Sequence, residues 1–327
     1  MVVIPPLSIL DLAIVGKKQT VRDSLEATVV LARHAEQHGF QRVWYAEHHN
    51  MATIASSATS VLIAHVAAHT ESIRLGAGGI MLPNHAPLVI AEQFGTLAEL
   101  HPGRIELGLG RAPGSDQATQ RALRRPPTAA DSFPRDVAEL QGYLGNATRV
   151  PGVEATPGKG TRIPLYILGS SLYGASFAAA FGLPYAFASH FAPAALEEAV
   201  ARYRHEFQPS EQLERPRVIA GVNVVAADSA PTAEAHLLHA QRRRVSQFLA
   251  PGQRLSDDEA DELISSRPGR QVLQMMEYTA VGDPAGVARY LDDFTARSGA
   301  DELIVTLVSP TLEDRLRSAT ILADVSR

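Results

Sequence analysis

The sequence predicts a single (β/α)8 TIM barrel, an α/β fold, and three observations favour it. Short β-rich apolar runs alternate with longer segments whose apolar residues recur at helical spacing. The strand candidates read as continuous apolar runs, which is typical of a parallel sheet covered by helices. There are eight such strands, a number that fits a closed barrel better than an open sheet. Because no linker separates two cores, we expect one domain over residues 1–327.

Helix-bounding residues support the predicted order of elements. Gly39 ends the first helix, Pro87, Pro134 and Pro193 stand where later helices begin, and Gly182–Pro184 closes another. The strands are predicted at Leu7–Leu10, Arg42–Ala46, Ile73–Ala77, Arg104–Leu107, Leu165–Leu168, Tyr185–Ala188, Val218–Val225 and Leu303–Leu307. The helices are predicted at Val21–Gln37, Ser57–His69, Pro87–Leu100, Pro134–Leu144, Leu172–Phe181, Pro193–Phe207, Thr232–Phe248 and Ala285–Arg297.

Three segments do not fit the repeat. Residues 111–133 and 145–164 are dense in Pro and Gly, so we predict loop insertions at the C-terminal face of the barrel. Residues 250–280 are polar, and we predict that they are partly helical and mobile.

Composition and charge exclude several classes of protein. The chain is 45% apolar and 20% charged, which is ordinary for a globular protein. Its 30 Lys and Arg against 35 Asp and Glu give a net charge of -5, so no nucleic-acid partner is expected. The basic clusters Arg124–Arg125 and Arg242–Arg244 are interpreted as solvated helix faces.

The absence of cysteine and of a long apolar run points to a cytoplasmic protein. Without cysteine there can be no disulfide, thiolate metal site or cysteine nucleophile. Apolar stretches such as Ala58–Ala68 are too short to cross a bilayer, so no membrane association is expected. The N-terminus has no basic region before its apolar residues and carries Pro5–Pro6, unlike a signal peptide.

Polar or glycine-rich clusters follow five of the predicted strands. A parallel barrel brings the carboxyl ends of its strands to one rim, where its active site lies. The clusters are Glu47–Asn50, Gly78–His85, Gly108–Asp116, Gly169–Gly174 and Ser189–His190. Their convergence predicts a pocket at that rim.

The histidines and glycines of this rim have more than one interpretation. His48 and His49 are adjacent on an extended segment, so their side chains point apart and do not favour a shared metal ion. One of them can act as a proton carrier, since imidazole titrates near neutral pH, or it can be structural. Gly78–Gly79 is either a tight bend or a place where backbone approaches a flat ring closely.

A phosphate site is predicted after the fifth strand. Gly169, Ser170 and Ser171 precede a helix, so hydroxyls, free N–H groups and the helix dipole can converge on an anion, although helix capping is the alternative. Arg111 on the neighbouring rim segment can pair with a phosphate. The segment GLGRAPG resembles a dinucleotide fingerprint but has Pro113 in place of its last glycine, and the 152–160 segment fails as a phosphate loop.

These segments resemble those of bacterial-luciferase-like flavin-dependent monooxygenases, in the non-luminescent subgroup. The matching stretches are WYAEHHN (44–50), IRLGAGGIMLPNHAPLVIAEQFGTLAELHPGRIELGLGRAPGSD (73–116), LYILGSS (165–171), FGLPYAFASHF (181–191), GDPAGV (282–287) and DELIVT (301–306). The resemblance implies an oxidoreductase that binds reduced FMN at the rim. It also implies reaction with O₂ through a C4a-(hydro)peroxyflavin, oxidation of a small organic substrate, and a homodimer.

The resemblance assigns roles to particular positions. It implies that His48 acts in acid/base steps and that Gly78 and Gly79 support the isoalloxazine ring, commonly through a cis peptide bond. Arg111 matches an arginine at the flavin phosphate. The phosphate turn comprises the residues Gly169, Ser170, Ser171, Tyr173 and Gly174. His190 and Asn50 lie near these positions in the family pattern. Because an oxygenated flavin must be shielded from water, a lid is expected, and residues 250–280 are the candidate for it.

Departures from the pattern narrow the function. Gly110 and Gly169–Ser171 stand where bacterial luciferase has a cysteine and an acidic residue, so light emission is not expected. No nicotinamide-specific motif is present, which favours a separate flavin reductase as the source of reduced FMN. The alternatives are an F420-dependent hydride-transfer enzyme and a non-catalytic flavin-binding protein.

Overall fold

A closed barrel of eight parallel strands forms the centre of the computed structural model, which describes residues 4–112 and 116–327. The strands there are β1 (Leu7–Asp11), β2 (Arg42–Tyr45), β3 (Arg74–Met81), β4 (Ile105–Gly110), β5 (Leu165–Gly169), β6 (Tyr185–Phe187), β7 (Val218–Ala226), β8 (Thr279–Gly282) and β9 (Glu302–Leu307). Strands β1 to β7 pair in sequence order, β7 pairs with β9, and β9 returns to β1. The predicted (β/α)8 TIM barrel is therefore confirmed.

Helices cover the outside of this barrel. Those in the described residues are α1 (Val21–Gln37), α2 (Thr59–Ala67), α3 (Pro87–Leu100), α4 (Gln117–Ala122), α5 (Phe133–Leu144), α6 (Leu172–Ala180), α7 (Leu196–Glu206), α8 (Ala230–Leu249), α9 (Asp257–Ser265), α10 (Arg267–Leu273), α11 (Pro284–Ser298) and α12 (Leu312–Val325). None of them is long and apolar enough to span a bilayer. Pro113, in the GLGRAPG segment, lies outside the described residues.

One strand and several helices go beyond the sequence prediction. β8 is not one of the eight predicted strands; it pairs only with the carboxyl half of β7, outside the closed ring. The terminal helix α12 was not predicted either, although it begins with a capping box between Thr311 and Asp314. α4 lies inside the segment 111–133, which was predicted as loop.

Residues 250–280 contain the helices α9 and α10, in keeping with the predicted partial helicity. An ion-pair network joins α9 to α8. The Nη1 atom of Arg242 lies 2.7 Å from Oδ2 of Asp257, and its Nη2 atom lies 2.5 Å from Oδ2 of Asp261. Arg242–Arg244 are all partly buried, so the prediction of a solvated basic face is wrong here. One face of their helix packs against other elements, and much of the rest of it is exposed to solvent.

The base of the barrel is filled by a buried ionic network. The guanidinium of Arg42 lies 2.6 Å from Oε2 of Glu106 and 2.8 Å from Oε1 of Glu302, and it also donates to the hydroxyl of Tyr166 at 2.7 Å. Arg42 and Glu302 are completely buried. An apolar layer that includes Trp44 follows above this network. The filled base places the open end of the barrel at the carboxyl ends of the strands.

Candidate active site

A cavity of about 450 Å³ opens at the carboxyl ends of the barrel strands. This is the size range of cofactor and small-molecule sites. Its wall contains all nine residues predicted for the site: His48, Gly78, Gly79, Arg111, Gly169, Ser170, Ser171, Tyr173 and Gly174. Apolar side chains that the sequence did not single out complete it, among them Leu10, Trp44, Met81 and Ile304. The structure thus brings the predicted residues together around one space.

One end of the cavity is suited to an anion. The Arg111 guanidinium stacks on the Tyr173 ring at 4.2 Å from its centroid, and its Nε donates to the carbonyl of Ala130 at 3.3 Å. Ser171 is the N-cap residue of α6, but its side chain makes no capping hydrogen bond. The capping alternative is therefore not realised, and the hydroxyl remains for a ligand. Tyr185 fixes the turn, since its hydroxyl donates to the Ser171 carbonyl at 3.0 Å.

Close approach of backbone explains the glycine pair in the cavity wall. The peptide bond between Gly78 and Gly79 is cis. A Cβ atom on Gly79 would lie 2.7 Å from the carbonyl oxygen of Gly108, and one on Gly78 would lie 2.8 Å from Cβ of Trp44. Both distances are too short for real contacts, so only glycine fits and the cavity surface here is bare backbone.

The adjacent histidines point in different directions, as the extended segment predicts. His48 lines the cavity. His49 lies outside it, where its Nε2 donates to Oε1 of Glu47 at 2.8 Å. Within the described part of the chain no group of three or more His, Asp or Glu side chains is arranged to hold a metal ion.

Glu47 joins two rim segments, and sequence reasoning gave it no role. Its buried carboxylate accepts from His49, from Nε2 of His85 at 2.9 Å and from the backbone N–H of Met81 at 3.0 Å. Burial acts to raise the pKa of Glu47, but the hydrogen bonds and charge of His85, with the bonds from His49 and Met81, hold it below its ordinary value of 4.5. The carboxylate therefore anchors the segment after β2, which carries His48, to the end of β3.

His190 and Asn50 differ in their placement. His190 lines the cavity and is half-buried, and its Nδ1 atom is covered by protein and has no hydrogen-bond partner among the described residues. Burial, together with the charges of Arg244 and His48, lowers the pKa of His190 to about 3. Asn50 is not part of the cavity wall; its Nδ2 donates to Oδ2 of Asp116 at 2.9 Å and so ties two rim loops together.

Comparison with known proteins identifies the family. The family described as luciferase-like monooxygenase matches residues 7–302. This chain belongs to the luciferase-like monooxygenases. As a member it is a flavin-dependent monooxygenase. A protein named luciferase-like monooxygenase from Escherichia coli (strain K12) is 46% identical over 326 residues, covering 97% of this chain and 96% of that protein. An N-acetyl-S-alkylcysteine monooxygenase from Bacillus subtilis (strain 168) is 35% identical over 264 residues, 76% of this chain and 75% of that one.

Solved structures of other proteins share the fold of this luciferase-like monooxygenase. The apo form of MsnO8 aligns with a TM-score of 0.89 and 34% identity over 98% of this chain and 97% of that chain. The oxygenating constituent of 3,6-diketocamphane monooxygenase from Pseudomonas putida, solved with FMN, gives a TM-score of 0.70 at 15% identity, covering 98% and 97%. An F420-dependent secondary alcohol dehydrogenase gives a TM-score of 0.71 at 14% identity, covering 99% of both chains. The last two likenesses show a common fold, in proteins that use a flavin or F420.

Proposed function

We propose that the protein is an FMN-dependent monooxygenase that uses reduced FMN and O₂ to oxidise a small organic substrate. The observation that carries this proposal is the convergence, around one cavity, of an anion-binding end, a glycine floor and an imidazole. FMN has the matching parts, namely a phosphate, a flat ring and a ring edge at which protons are exchanged. When bound, reduced FMN would supply the oxygen-activating chemistry.

The phosphate would be held where Arg111 meets the turn after β5. A guanidinium and free hydroxyls at a helix N-terminus are the groups that bind phosphate in proteins. Arg111 is already held in place by its stacking on Tyr173 at 4.2 Å, so little side-chain entropy is lost when it binds an anion. Ser170 and Ser171 would contribute hydroxyls at the start of α6.

The ring would lie against the Gly78–Gly79 backbone, where no side chain intervenes. Apolar residues around it, including Leu10, Trp44 and Ile304, exclude water from the reacting atoms. His48 faces the same space and would accept and return a proton during oxygenation, because imidazole can do both near neutral pH. Glu47, beside it in the chain, fixes the segment that carries this imidazole.

We also infer the partners that this chemistry requires. Reduced FMN would come from a separate flavin reductase, and the enzyme would act in the cytoplasm. A homodimer is supported by exposed apolar side chains on neighbouring helices α2 and α3, Val61, Val89 and Leu100. Residues 250–280 supply none of the cavity-wall residues in the described chain, so their role as a lid stays a prediction that proteolysis with and without FMN can test.

Anaerobic titration with reduced FMN and with reduced F420, followed by rapid mixing with O₂, tests the proposal. Tight binding of reduced FMN and a transient absorbance from its oxygen adduct are the expected results. A substrate screen would then follow the accelerated decay of that absorbance and would include N-acetyl-S-alkylcysteines, for which one relative is named. Preference for F420 without an oxygen-dependent transient would instead place the protein among hydride-transfer enzymes.

The variant His48→Ala separates an enzyme from a flavin-binding protein. We expect it to keep most of its FMN affinity and to lose substrate oxidation, because the imidazole is needed for proton transfer rather than for binding. A wild-type protein that binds FMN but oxidises no substrate in the screen would favour a binding role.

A further inference from the structure

A methionine lies in the wall of the candidate active site. Among the methionines in residues 4–112 and 116–327, Met81 alone lines the cavity. It is the last residue of β3 and is half-buried, so part of its side chain is accessible. A thioether is readily oxidised to a sulfoxide. The proposed oxygen chemistry would therefore take place beside an oxidisable side chain.

The pairing of β3 with β4 fixes where the sulfur of Met81 lies. Met81 is in register with Gly110, so the side chains of the two positions face the same side of the sheet. A Cβ atom on Gly110 would lie 2.9 Å from Sδ of Met81. The sulfur therefore occupies the space that a side chain at position 110 would take. Because Gly110 itself lines the cavity, the sulfur lies at the cavity wall.

The same strand carries the surface proposed for the flavin ring. Gly78 and Gly79 present bare backbone to the cavity, and Met81 follows Gly79 by two residues. Ile80, between them, packs in the main apolar core on the other face of the strand. No side chain of β3 therefore intervenes between the glycine pair and Met81 on the cavity face. At about 3.3 Å per residue, Met81 is about 7 Å along the strand from Gly79, close enough for a flat ring on the glycine pair to extend beside it.

Two other methionines provide an internal comparison. Met51 and Met275 are half-buried, as Met81 is, but neither is part of the cavity wall in the described chain. Because susceptibility to oxidation follows exposure, an oxidant that arrives from solvent should oxidise the three at similar rates. An oxidant that forms inside the cavity should reach Met81 first.

We propose that Met81 is a self-oxidation site, which reduced FMN and O₂ convert to methionine sulfoxide when no substrate fills the cavity. The inference rests on the proposed function, because the same oxygen chemistry is directed at a side chain instead of a substrate. One oxygen atom of O₂ forms the new S–O bond as the O–O bond breaks, and the other leaves as water. The sulfur gives up one electron pair, and reduced FMN gives up a second pair together with the protons of that water, which leaves oxidised FMN.

Oxidation of Met81 would limit turnover in the absence of substrate. A sulfoxide is polar, so the cavity wall beside Gly110 would gain an oxygen atom that attracts water. Since activated oxygen must be shielded from water, the modified protein should form less of the oxygen-dependent transient. A bound substrate would protect Met81 by taking the oxygen atom instead.

The test follows the mass of Met81 during substrate-free cycles. The protein is loaded anaerobically with an equal amount of reduced FMN, mixed with aerated buffer that contains catalase, and taken through repeated cycles. Trypsin places Met51, Met81 and Met275 in different peptides, so mass spectrometry resolves a gain of about 16 Da at each of them. We expect Met81 to be oxidised about tenfold faster than the other two, because it is held beside the reacting atoms. In flavin-free protein treated with hydrogen peroxide, the three should be oxidised at similar rates.

The variant Met81→Leu supplies a second readout. Leucine conserves the volume and the apolar character of the side chain but has no sulfur. The oxygen-dependent transient of Met81→Leu should persist over cycles in which that of the wild type fades, and the matched control Met51→Leu should fade as the wild type does. Equal oxidation of the three methionines during the cycles, or the same preference for Met81 with hydrogen peroxide, would overturn the proposal.

The self-oxidation site and the proposed function fail in different ways. If the wild type shows the oxygen-dependent transient but Met81 is oxidised no faster than Met51 and Met275, the self-oxidation site is wrong and the proposed function stands. If reduced FMN gives no transient with O₂, the cavity does not activate oxygen with this flavin, and both are wrong.

Discussion

Protonation of His190 should link the stability of the fold to pH. The side chain is half-buried in the cavity wall, and desolvation with the charges of Arg244 and His48 lowers the pKa of His190 to about 3 from an ordinary 6.5. As pH falls below 6.5, the unfolded chain takes up a proton at this position and the folded chain does not. The contribution of the unprotonated imidazole to the free energy of unfolding is therefore fully present above pH 6.5 and is lost progressively as pH falls toward 3.

The expected size of the effect follows from these values. A pH of 5 is about 1.5 units below the pKa of this imidazole in the unfolded chain. Protonation of the unfolded chain therefore lowers the free energy of unfolding by about 2 kcal/mol relative to pH 7.5. Replacing His190 by Gln should make the loss of stability between these two pH values smaller by that amount. Urea unfolding, followed by the fluorescence of Trp44, the one tryptophan in the sequence, measures it.

His101→Gln provides the matched control. Burial and Arg104 lower the pKa of His101 too, but this imidazole is near the surface. We expect this variant to keep most of the wild-type pH dependence. If wild type and His190→Gln lose the same free energy between pH 7.5 and pH 5, the inference that the folded protein keeps this imidazole unprotonated is refuted.

Three further variants test other parts of the structure. Glu47→Gln should lower the free energy of unfolding by about 1–3 kcal/mol in urea at pH 7, because its hydrogen-bond donors lose a charged acceptor. Since the pKa of Glu47 is lowered, the difference from the wild type should shrink as pH falls below 4.5. A difference that is independent of pH would contradict this role of the carboxylate. Arg42→Met should cost about 3–5 kcal/mol by the same measurement, because Glu106 and Glu302 lose their buried cationic partner and keep only the partly exposed Arg74 and Arg217. A neutral result would argue against the ionic base. Arg111→Gln should weaken FMN binding about tenfold in fluorescence titrations, whereas Arg125→Gln should not; equal effects would indicate general electrostatics.

The barrel could be predicted from the sequence because buried parallel strands read as apolar runs separated by helices. β8, Thr279–Gly282, escaped prediction because it follows directly on the polar segment that was predicted to be mobile. α12 could have been found from the Thr311–Asp314 capping box, but the expected eightfold repeat was already complete before it. Residue propensities and the spacing of apolar residues identify the regular helices and strands of the barrel. A strand that pairs outside the closed ring depends on tertiary contacts, which the local sequence does not reveal.

The rim residues could be predicted because the fold brings all strand ends to one side. Which of them face the cavity depends on the alternation of side chains along an extended segment. This alternation correctly predicts that His48 and His49 point in different directions. The contact between Glu47 and His85 spans 38 residues of chain and has no local signal. Arg244 was interpreted as solvated because a basic triplet usually is; only the packing of α8 against Val225 and Val308 shows otherwise.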